Sequence, residues 1–196
     1  MSVVLAVAAL ARGAPVVVPT DTVYGVAATP GHAGALFGLK ERPVAKALPI
    51  LGAGTEQLST VAVFDERASA LASAFWPGPV TLVLARAGTF TADLGGLDPE
   101  TVAVRVPAHD VALEVLRATG PLAVTSANLS GGPPATTLAE ARRVFGDRVE
   151  VYLDGGVCDG TPSTVVSLTG AAEILREGGP EAEAVLAMLR MPRTAS

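Results

Sequence analysis

Lys40, Arg42 and Lys46 place three cations within seven residues around Pro43, in a chain that has few cations. An arginine offers a planar fork of donors and a lysine a point charge, a pair that suits the phosphates of a nucleotide. A structural interpretation stays open, because lysine and arginine at the end of a helix also complement the helix dipole. The proline would stiffen the loop that presents these cations.

A second group is polar without being charged. Residues 125–132 read Thr-Ser-Ala-Asn-Leu-Ser-Gly-Gly and directly follow the apolar residues 122–124. The backbone N–H groups of such a stretch can fold into an anion-binding nest, to which Ser126 and Asn128 would add side-chain donors. The alternative is an ordinary loop that leads to the next helix, which Thr137 would cap.

Residues 19–25, Pro-Thr-Asp-Thr-Val-Tyr-Gly, follow a run of valines at 16–18. Open α/β sheets bind ligands at the carboxyl ends of their strands, so two hydroxyls, a carboxylate and a tyrosine at such an end predict a binding loop. An Asx-type turn after a buried strand would explain the same residues.

Two arginines stand in or beside apolar segments. Arg105 lies in residues 102–106, a strand whose valines alternate onto one face, and Arg176 ends the segment 172–176. A buried arginine needs an anion, which is either an internal carboxylate or a substrate. Ser163 and Thr164 place hydroxyls at the start of another strand, where β-propensity is the alternative explanation.

Composition excludes several classes of protein. With 196 residues, 49% of them hydrophobic and 17% charged, the chain predicts a compact domain and not a disordered one. The net charge of -5 argues against a surface that binds nucleic acid indiscriminately. The single cysteine and two histidines suit neither a disulfide nor a zinc cluster, and the common nucleotide-binding glycine motifs are missing. Apolar stretches broken by glycine and proline favour a cytoplasmic protein without a membrane span.

The hydrophobic patterning predicts an α/β (α+β) fold, a mixed twisted β-sheet flanked by helices, in one domain over residues 1–196. The predicted helices cover about residues 3–11, 33–42, 66–75, 110–119 and 137–145, and Pro180 would open a last one. The predicted strands are 16–18, 23–28, 48–51, 80–85, 102–106, 122–124, 149–153, 164–168 and 173–176. Gly13 is expected as a C-cap, Asp65 as an N-cap, and Thr137 with Glu140 as a capping box.

Seven short segments, taken in order, closely resemble the YrdC family of L-threonylcarbamoyladenylate synthases. The segments are residues 19–25, 40–43, 76–82 (WPGPVTL), 102–107 (VAVRVP), 126–131 (SANLSG), 163–166 (STVV) and 175–176. They extend over nearly the whole chain, and the resemblance is to the short, single-domain bacterial type.

The resemblance implies that ATP, L-threonine and bicarbonate or CO2 are converted into threonylcarbamoyl-AMP and pyrophosphate. The product would feed the N6-threonylcarbamoyladenosine (t6A) modification of tRNA through downstream transferase proteins, with direct contact to tRNA left open. A YrdC-like fold with a concave, electropositive cavity is implied as well. Mg2+ would enter with ATP and be held mostly by phosphates, and no residue is assigned to a metal site.

The resemblance also assigns residues by position. Lys40 and Arg42 match the catalytic basic pair that meets the ATP phosphates. Further ATP contacts are Ser126, Asn128 and Arg176, and the threonine-binding wall consists of Thr22, Tyr24, Arg105 (opposite the substrate carboxylate) and Ser163.

Two departures from the family pattern are visible. Many relatives carry a histidine shortly after the basic loop, where residues 48–53 here read Leu-Pro-Ile-Leu-Gly-Ala, and Ser167 stands where relatives often have an aspartate. The alternative function is a YrdC-like module that holds RNA or tRNA without chemistry. The basic pair together with Ser126 and Arg176 favours the enzyme, because RNA binding by shape does not require that combination. A carbamoyl-adenylate-forming relative, as in hydrogenase maturation, would need a longer chain with more cysteines.

Overall fold

The computed structural model of the chain describes residues 2–179 and 181–190. The α-helices in this part are α1 (Val3–Ala11), α2 (Gly34–Lys40), α3 (Thr55–Leu58), α4 (Glu66–Phe75), α5 (Asp110–Thr119), α6 (Leu138–Phe145) and α7 (Glu181–Leu189). The strands are β1 (Val16–Val18), β2 (Gly25–Ala28), β3 (Ile50–Leu51), β4 (Val80–Ala85), β5 (Thr101–Arg105), β6 (Leu122–Ser126), β7 (Val151–Tyr152), β8 (Thr164–Ser167) and β9 (Glu173–Arg176). None of the helices in these ranges is long and apolar enough to cross a membrane.

Within the described residues, the nine strands form one sheet in the order β7-β1-β2-β6-β3-β5-β4-β8-β9. The pairs β1–β7, β3–β5 and β4–β8 are parallel, and the remaining neighbours are antiparallel. The predicted mixed sheet flanked by helices is therefore confirmed. In the centre, Leu51 of β3 pairs with both Arg105 of β5 and Leu122 of β6, so Arg105 ends a central strand.

Strands β1, β2 and β6 are buried on both faces, because successive side chains point to opposite faces and each face packs against a core of its own. In β1, Val17 enters the larger core, whereas Val16 and Val18 enter a second core under α1 and α5. In β5 the predicted alternation is confirmed, since the valines enter the larger core and Arg105 does not. The sheet therefore carries one buried arginine among apolar neighbours.

Local signals set several helix ends as the sequence predicts. The carboxylate of Asp65 accepts a backbone hydrogen bond of 2.8 Å at the start of α4, and Thr137 with Glu140 forms the capping box of α6. The prediction for Gly13 is wrong by one position, because Arg12 is the C-cap of α1. Gly13 follows with φ of 81°, a left-handed conformation that glycine adopts without strain and that commonly ends a helix.

Other element boundaries differ from the prediction where the chain leaves regular pairing. β2 begins only at Gly25, because the N–H of Tyr24 donates to Ala135 O (2.9 Å) outside the ladder. α2 ends at Lys40, because the next residue has a left-handed φ of 52°. The short helix α3 is not predicted, and Pro180 lies outside the described residues.

Candidate active site

The loop between β1 and β2 (residues 19–24) is ordered by the hydroxyl of Thr20. Thr20 Oγ1 accepts hydrogen bonds from the N–H groups of Thr22 and Val23, each at 3.2 Å, and donates to Val23 O (2.6 Å). Threonine side chains form such local bonds in turns after strands. The loop is therefore held in shape by its own residues before any ligand binds.

Arg105 is buried, with 6% of its surface exposed, and two segments of the chain hold its guanidinium. Nε donates to Gly78 O (2.9 Å), Nη1 to Thr22 Oγ1 (3.0 Å) and Nη2 to Asp21 Oδ1 (2.5 Å). Asp21 Oδ1 also accepts the N–H of Ala108 (3.0 Å). Burial lowers the pKa of Arg105, and the charge of Asp21 raises it again. Of the two anions that the sequence leaves open for Arg105, the structure contains the internal carboxylate.

Arg176 lies beside this group at the end of β9. Its Nε donates to Ser163 O (3.0 Å) and its Nη2 to Ser163 Oγ (3.1 Å). The Ser163 hydroxyl is also 2.8 Å from Thr81 Oγ1. Burial lowers the pKa of Arg176, and the like charge of Arg105 lowers it further, so the two guanidiniums repel each other. Residues predicted for both substrates therefore meet here, at a place where an anion would be stabilised.

A second cluster forms where α2 ends. The ammonium of Lys40, 1% exposed, donates to the carbonyl of Ser126 and to Asn128 Oδ1 (3.0 Å) and lies 3.3 Å from Ser126 Oγ. The Ser126 hydroxyl donates to Asn128 Oδ1 (2.5 Å), and Asn128 Nδ2 donates to the carbonyls of Leu129 (2.8 Å) and Gly132 (2.7 Å). Three of the residues predicted to bind ATP therefore share one hydrogen-bond network.

The charge of Lys40 has no carboxylate partner among the described residues, where the ion pairs involve Arg12, Arg67 and Arg105. Its acceptors are a carbonyl, a hydroxyl and an amide oxygen, all neutral. Burial, and next the positive charge of Arg42, lower the pKa of Lys40 to about 8. A buried cation among neutral acceptors is a strong attractor for an anion, which supports the predicted phosphate contact.

Arg42 organises the basic loop (residues 41–47) and does not enter the Lys40 network. Its Nε donates to Lys46 O (3.0 Å) and its Nη2 to Ala47 O (2.9 Å). Arg42 itself is half-buried, and the rest of this loop is exposed. The arginine thus closes the loop on itself, next to Lys40.

A glycine turn at residues 95–96 packs against the basic loop at Val44. The N–H of Gly96 donates to Val44 O (2.7 Å). Gly95 has φ of 65°, and a Cβ atom there would lie 2.5 Å from Val44 O and 2.6 Å from the ring of Phe37. Glycine is therefore required for this close approach, which fixes the position of the loop that carries Arg42.

One backbone hydrogen bond connects the two clusters. The N–H of Ala127, the middle residue of the Ser-Ala-Asn motif, donates to Tyr24 O (2.7 Å). Two residues before Tyr24, the hydroxyl of Thr22 accepts from Arg105. The Lys40 cluster and the Arg105 cluster therefore flank the same short stretch of the β1–β2 loop.

Tyr24 lies behind this stretch and not on its surface. Its side chain is fully buried in the larger core, its hydroxyl donates to Gly156 O (2.8 Å), and it accepts the N–H of Gly155 (3.1 Å). Burial raises the pKa of Tyr24. The sequence predicts Tyr24 as a threonine contact; in the structure its ring lies in the core, and its hydroxyl anchors the loop between β7 and β8.

The loop between β7 and β8 (residues 153–163) is attached to the site at further points. The N–H of Cys158 donates to Thr136 O (2.8 Å), and the N–H of Gly160 donates to Thr22 O (2.7 Å). Val157, directly before Cys158, is 78% exposed. Main-chain groups thus fix the path of this loop beside Thr22.

The strand after the basic loop offers no polar substitute for the histidine of many relatives. Leu48 and Ile50 are fully buried, and Leu51, the neighbour of Arg105 across the ladder, belongs to the second core. The polar side chains bonded to Arg105 come from the β1–β2 loop instead, at residues 21 and 22.

Asp21 is the contact that the sequence reasoning leaves without a role. A signal was present, because Arg105 requires an anion and residues 19–25 contain one carboxylate. Selecting it from 19 acidic residues requires the fold, since Asp21 and Arg105 are 84 positions apart.

Two open depressions of the described surface lie close to the clusters. One, of about 510 Å³, is lined by Pro162 and Glu177, which adjoin Ser163 and Arg176 in the chain. The other, of about 670 Å³, lies between α3, α4 and the turn before β4. Neither is lined by the predicted side chains themselves, so the contacts of those side chains, and not a depression, define the site.

A protein-family model described as "Telomere recombination", for the Sua5, YciO and YrdC proteins, matches residues 8–178. The chain belongs to this family. The matched range contains both clusters, and the resemblance inferred from the seven motifs is confirmed.

Individual relatives are similar over most of the chain. The threonylcarbamoyl-AMP synthase of Klebsiella pneumoniae is 40% identical over 184 residues, which cover 88% of this chain and 94% of the relative. The threonylcarbamoyl-AMP synthase of Pyrococcus abyssi is 40% identical over 191 residues, covering 92% of this chain and 56% of the relative. The crystal structure of P. abyssi Sua5 complexed with L-threonine matches with a TM-score of 0.88 and 38% identity, covering 96% of this chain and 58% of that one. The chain thus spans somewhat more than half of the Pyrococcus protein.

Proposed function

We propose that this chain is a threonylcarbamoyl-AMP synthase, which forms threonylcarbamoyl-AMP and pyrophosphate from ATP, L-threonine and bicarbonate or CO2. The observation that carries the proposal is the position of the two clusters on either side of the β1–β2 loop. One offers a buried cation without a counterion and the other a rigidly held arginine. The 40% identity with the Klebsiella synthase over 184 residues supports the same activity.

For ATP, the proposed contacts are Lys40, Arg42, Ser126, Asn128 and Arg176. A phosphate oxygen would replace neutral acceptors around the Lys40 ammonium by a stronger, charge-assisted bond. The two bonds of Arg176 to Ser163 leave three of its five N–H groups without a partner in the described part of the chain. These groups are available to phosphate. Arg42 lies on an exposed loop, which can adjust to a bound phosphate.

For threonine, the proposed contacts are Thr22, Arg105 and Ser163, without the buried Tyr24. The three protein bonds of Arg105 leave two of its five N–H groups, the number that a carboxylate accepts in a bidentate pair. The Ser163 hydroxyl would reach the hydroxyl of the amino acid. The similar Pyrococcus structure contains L-threonine, which supports an amino-acid site in this fold.

The proposed reaction uses no covalent enzyme intermediate. The threonine amine adds to CO2 and loses a proton, which gives a carbamate. A carbamate oxygen then forms a bond to the α-phosphorus of ATP, the bond to the bridging oxygen breaks, and pyrophosphate leaves. Arg105 would orient the amino acid, and Lys40 with Arg42 would stabilise the charge that develops on pyrophosphate, so catalysis is positioning and electrostatics.

Magnesium is proposed as part of the substrate, bound to the phosphates of ATP. In residues 2–179 and 181–190, no group of three or more His, Cys, Asp and Glu side chains could hold a metal ion. The residues proposed to meet the phosphates are cations, hydroxyls and amides, which bind phosphate oxygens.

The chemistry of the product indicates its use. A mixed anhydride of a carbamate and AMP is an activated acyl donor, so it requires a downstream transferase that passes the threonylcarbamoyl group to a nucleophile. We propose N6 of adenosine in tRNA as that acceptor, and the cytoplasm as the place of the reaction.

The deciding experiment measures pyrophosphate release from MgATP by the purified chain, with L-threonine and bicarbonate added separately and together. The proposal expects release that requires both, with threonylcarbamoyl-AMP identified by mass spectrometry. Pyrophosphate release that does not depend on threonine, or no release at all, contradicts the proposed activity. Binding of tRNA without any release would favour the alternative, a non-catalytic RNA-binding module of the same fold.

A further inference from the structure

Asp21 carries a buried negative charge on the threonine side of the site. Its side chain is 15% exposed and that of its partner Arg105 is 7% exposed, while the other two ion pairs in the described residues are 38–68% exposed. Oδ1 accepts from both Arg105 and the N–H of Ala108, whereas Oδ2 is buried without a partner in that part of the chain. The carboxylate is thus buried in a place where only one of its two oxygens has hydrogen-bond partners.

The structural part of this arrangement does not need a charge. An asparagine at position 21 could accept the N–H of Ala108 equally well, without a charged oxygen left unpaired in the interior. Such an oxygen is unfavourable, because burial removes its hydration. The one contact that uses the negative charge is the contact with Arg105, so the charge of Asp21 acts on that arginine.

The consequence for Arg105 is a fixed orientation. Its three bonds run to Gly78 O, Thr22 Oγ1 and Asp21 Oδ1, which come from two different segments of the chain. Asp21 is the acceptor for Nη2, and it also offsets the repulsion between Arg105 and Arg176. When a substrate carboxylate arrives, two arginines then face two carboxylates, and no charge is left over.

We propose that Asp21 is a positioning residue for the amino-acid substrate. It holds Arg105 in the orientation that receives the α-carboxylate, and it does not touch the substrate itself. The inference rests on the proposed function, because that function assigns the substrate carboxylate to Arg105.

The test compares the wild type with Asp21→Asn and with the matched control Asp65→Asn. Asp65 likewise accepts one backbone N–H (2.8 Å) and one arginine N–H (3.0 Å, from Arg67), but at the exposed start of α4. Pyrophosphate release is measured against L-threonine and, separately, against MgATP. Asp21→Asn is expected to raise KM for threonine by about ten- to a hundredfold, the size of one charge-assisted hydrogen bond, and to leave KM for ATP within about twofold. Asp65→Asn is expected to change neither.

A second readout separates positioning from a general loss of structure. L-threoninamide has nearly the shape of L-threonine but no carboxylate. The wild type is expected to prefer threonine, by the ratio of the two kcat/KM values, and Asp21→Asn is expected to lose much of that preference. Asp21→Glu, which keeps the charge, is expected to recover part of it.

Equal increases of KM for threonine, threoninamide and ATP in Asp21→Asn would show a structural role and overturn the inference. A lower KM for threonine would also overturn it, because Asp21 would then compete with the substrate for Arg105. If the wild type releases no pyrophosphate with all substrates present, it is the proposed function that fails. Calorimetric binding of L-threonine to wild type and Asp21→Asn then still decides, since equal affinity contradicts the role of Asp21.

Discussion

The Lys40 and Arg105 clusters bury a positive charge in two different ways. Both residues are almost inaccessible, with 1% and 6% exposed. Around Lys40 the acceptors are neutral, whereas Arg105 is paired with the carboxylate of Asp21. Lys40 therefore adds an uncompensated positive charge to the site, whereas Arg105 adds a guanidinium in a fixed orientation. Burial alone does not distinguish these roles; the presence of an internal counterion does.

The largest expected effect follows from removing the uncompensated charge. Lys40→Met is expected to reduce pyrophosphate release at least about a hundredfold, the size of a lost electrostatic contact in the transition state. The melting temperature should change little, because removing a buried charge offsets the lost hydrogen bonds. Lys40→Arg keeps the charge in another geometry, so its rate of pyrophosphate release should lie between those of the wild type and Lys40→Met. A loss of less than tenfold in Lys40→Met would remove the distinction between the clusters.

The titration of Lys40 gives a second prediction, with opposite signs for activity and stability. With a pKa of about 8 in the protein without ligand, the ammonium loses its proton above that pH, so kcat/KM for ATP should fall as pH rises. The folded pKa lies below the ordinary value of 10.5, so the folded state binds fewer protons between pH 8 and 10.5, and stability should rise through this window. The ratio of wild-type to Lys40→Arg rates cancels the titration of the substrate amine. A ratio that stays constant from pH 7 to 10 would contradict the assignment.

A smaller effect is expected from lifting the basic loop alone. Gly95→Ala puts a side chain into a left-handed conformation and against Val44 O, so the loop with Arg42 must shift. KM for ATP should rise roughly tenfold, about the worth of one hydrogen bond to a charged group, while KM for threonine stays within twofold. Gly88→Ala, where a Cβ atom would meet nothing within 4 Å, is the control. Equal changes in both KM values would mean that the two clusters do not act separately.

The smallest effect concerns Tyr24, whose side chain is buried in the core. Tyr24→Phe loses hydrogen bonds to Gly155 and Gly156 and should lower the free energy of unfolding by about 1 kcal/mol. Both KM values should remain within twofold. Tyr152→Phe, which loses a bond of the other buried tyrosine to Gly146 O (2.8 Å), should cost a similar amount. A tenfold rise in KM for threonine in Tyr24→Phe would restore the contact predicted from the sequence.

The sequence predicts the features that depend on residues close together in the chain. It does not predict which distant residue a side chain contacts or which way that side chain points. Alternating valines, the Asp65 cap and the capping box at Thr137 follow from local periodicity and local hydrogen bonds, and the structure contains all of them. The sequence also predicts that Arg105 is buried and needs an anion. It does not predict Asp21 as that anion, because their pairing depends on how the sheet brings distant loops together. The direction of the Tyr24 ring is not predicted for the same reason, since the core sets it.

The loop between β7 and β8 has a practical consequence. Its path is recorded in main-chain hydrogen bonds at Gly156, Cys158 and Gly160, so the side chains between them do not determine where it runs. Val157 is 78% exposed, whereas the native thiol of Cys158 is buried and burial raises its pKa. A thiol introduced by Val157→Cys would therefore react selectively with a thiol-reactive fluorophore, on the loop whose Gly160 N–H donates to Thr22 O. The wall of the site can thus carry an optical reporter of substrate entry on a loop whose course is already fixed.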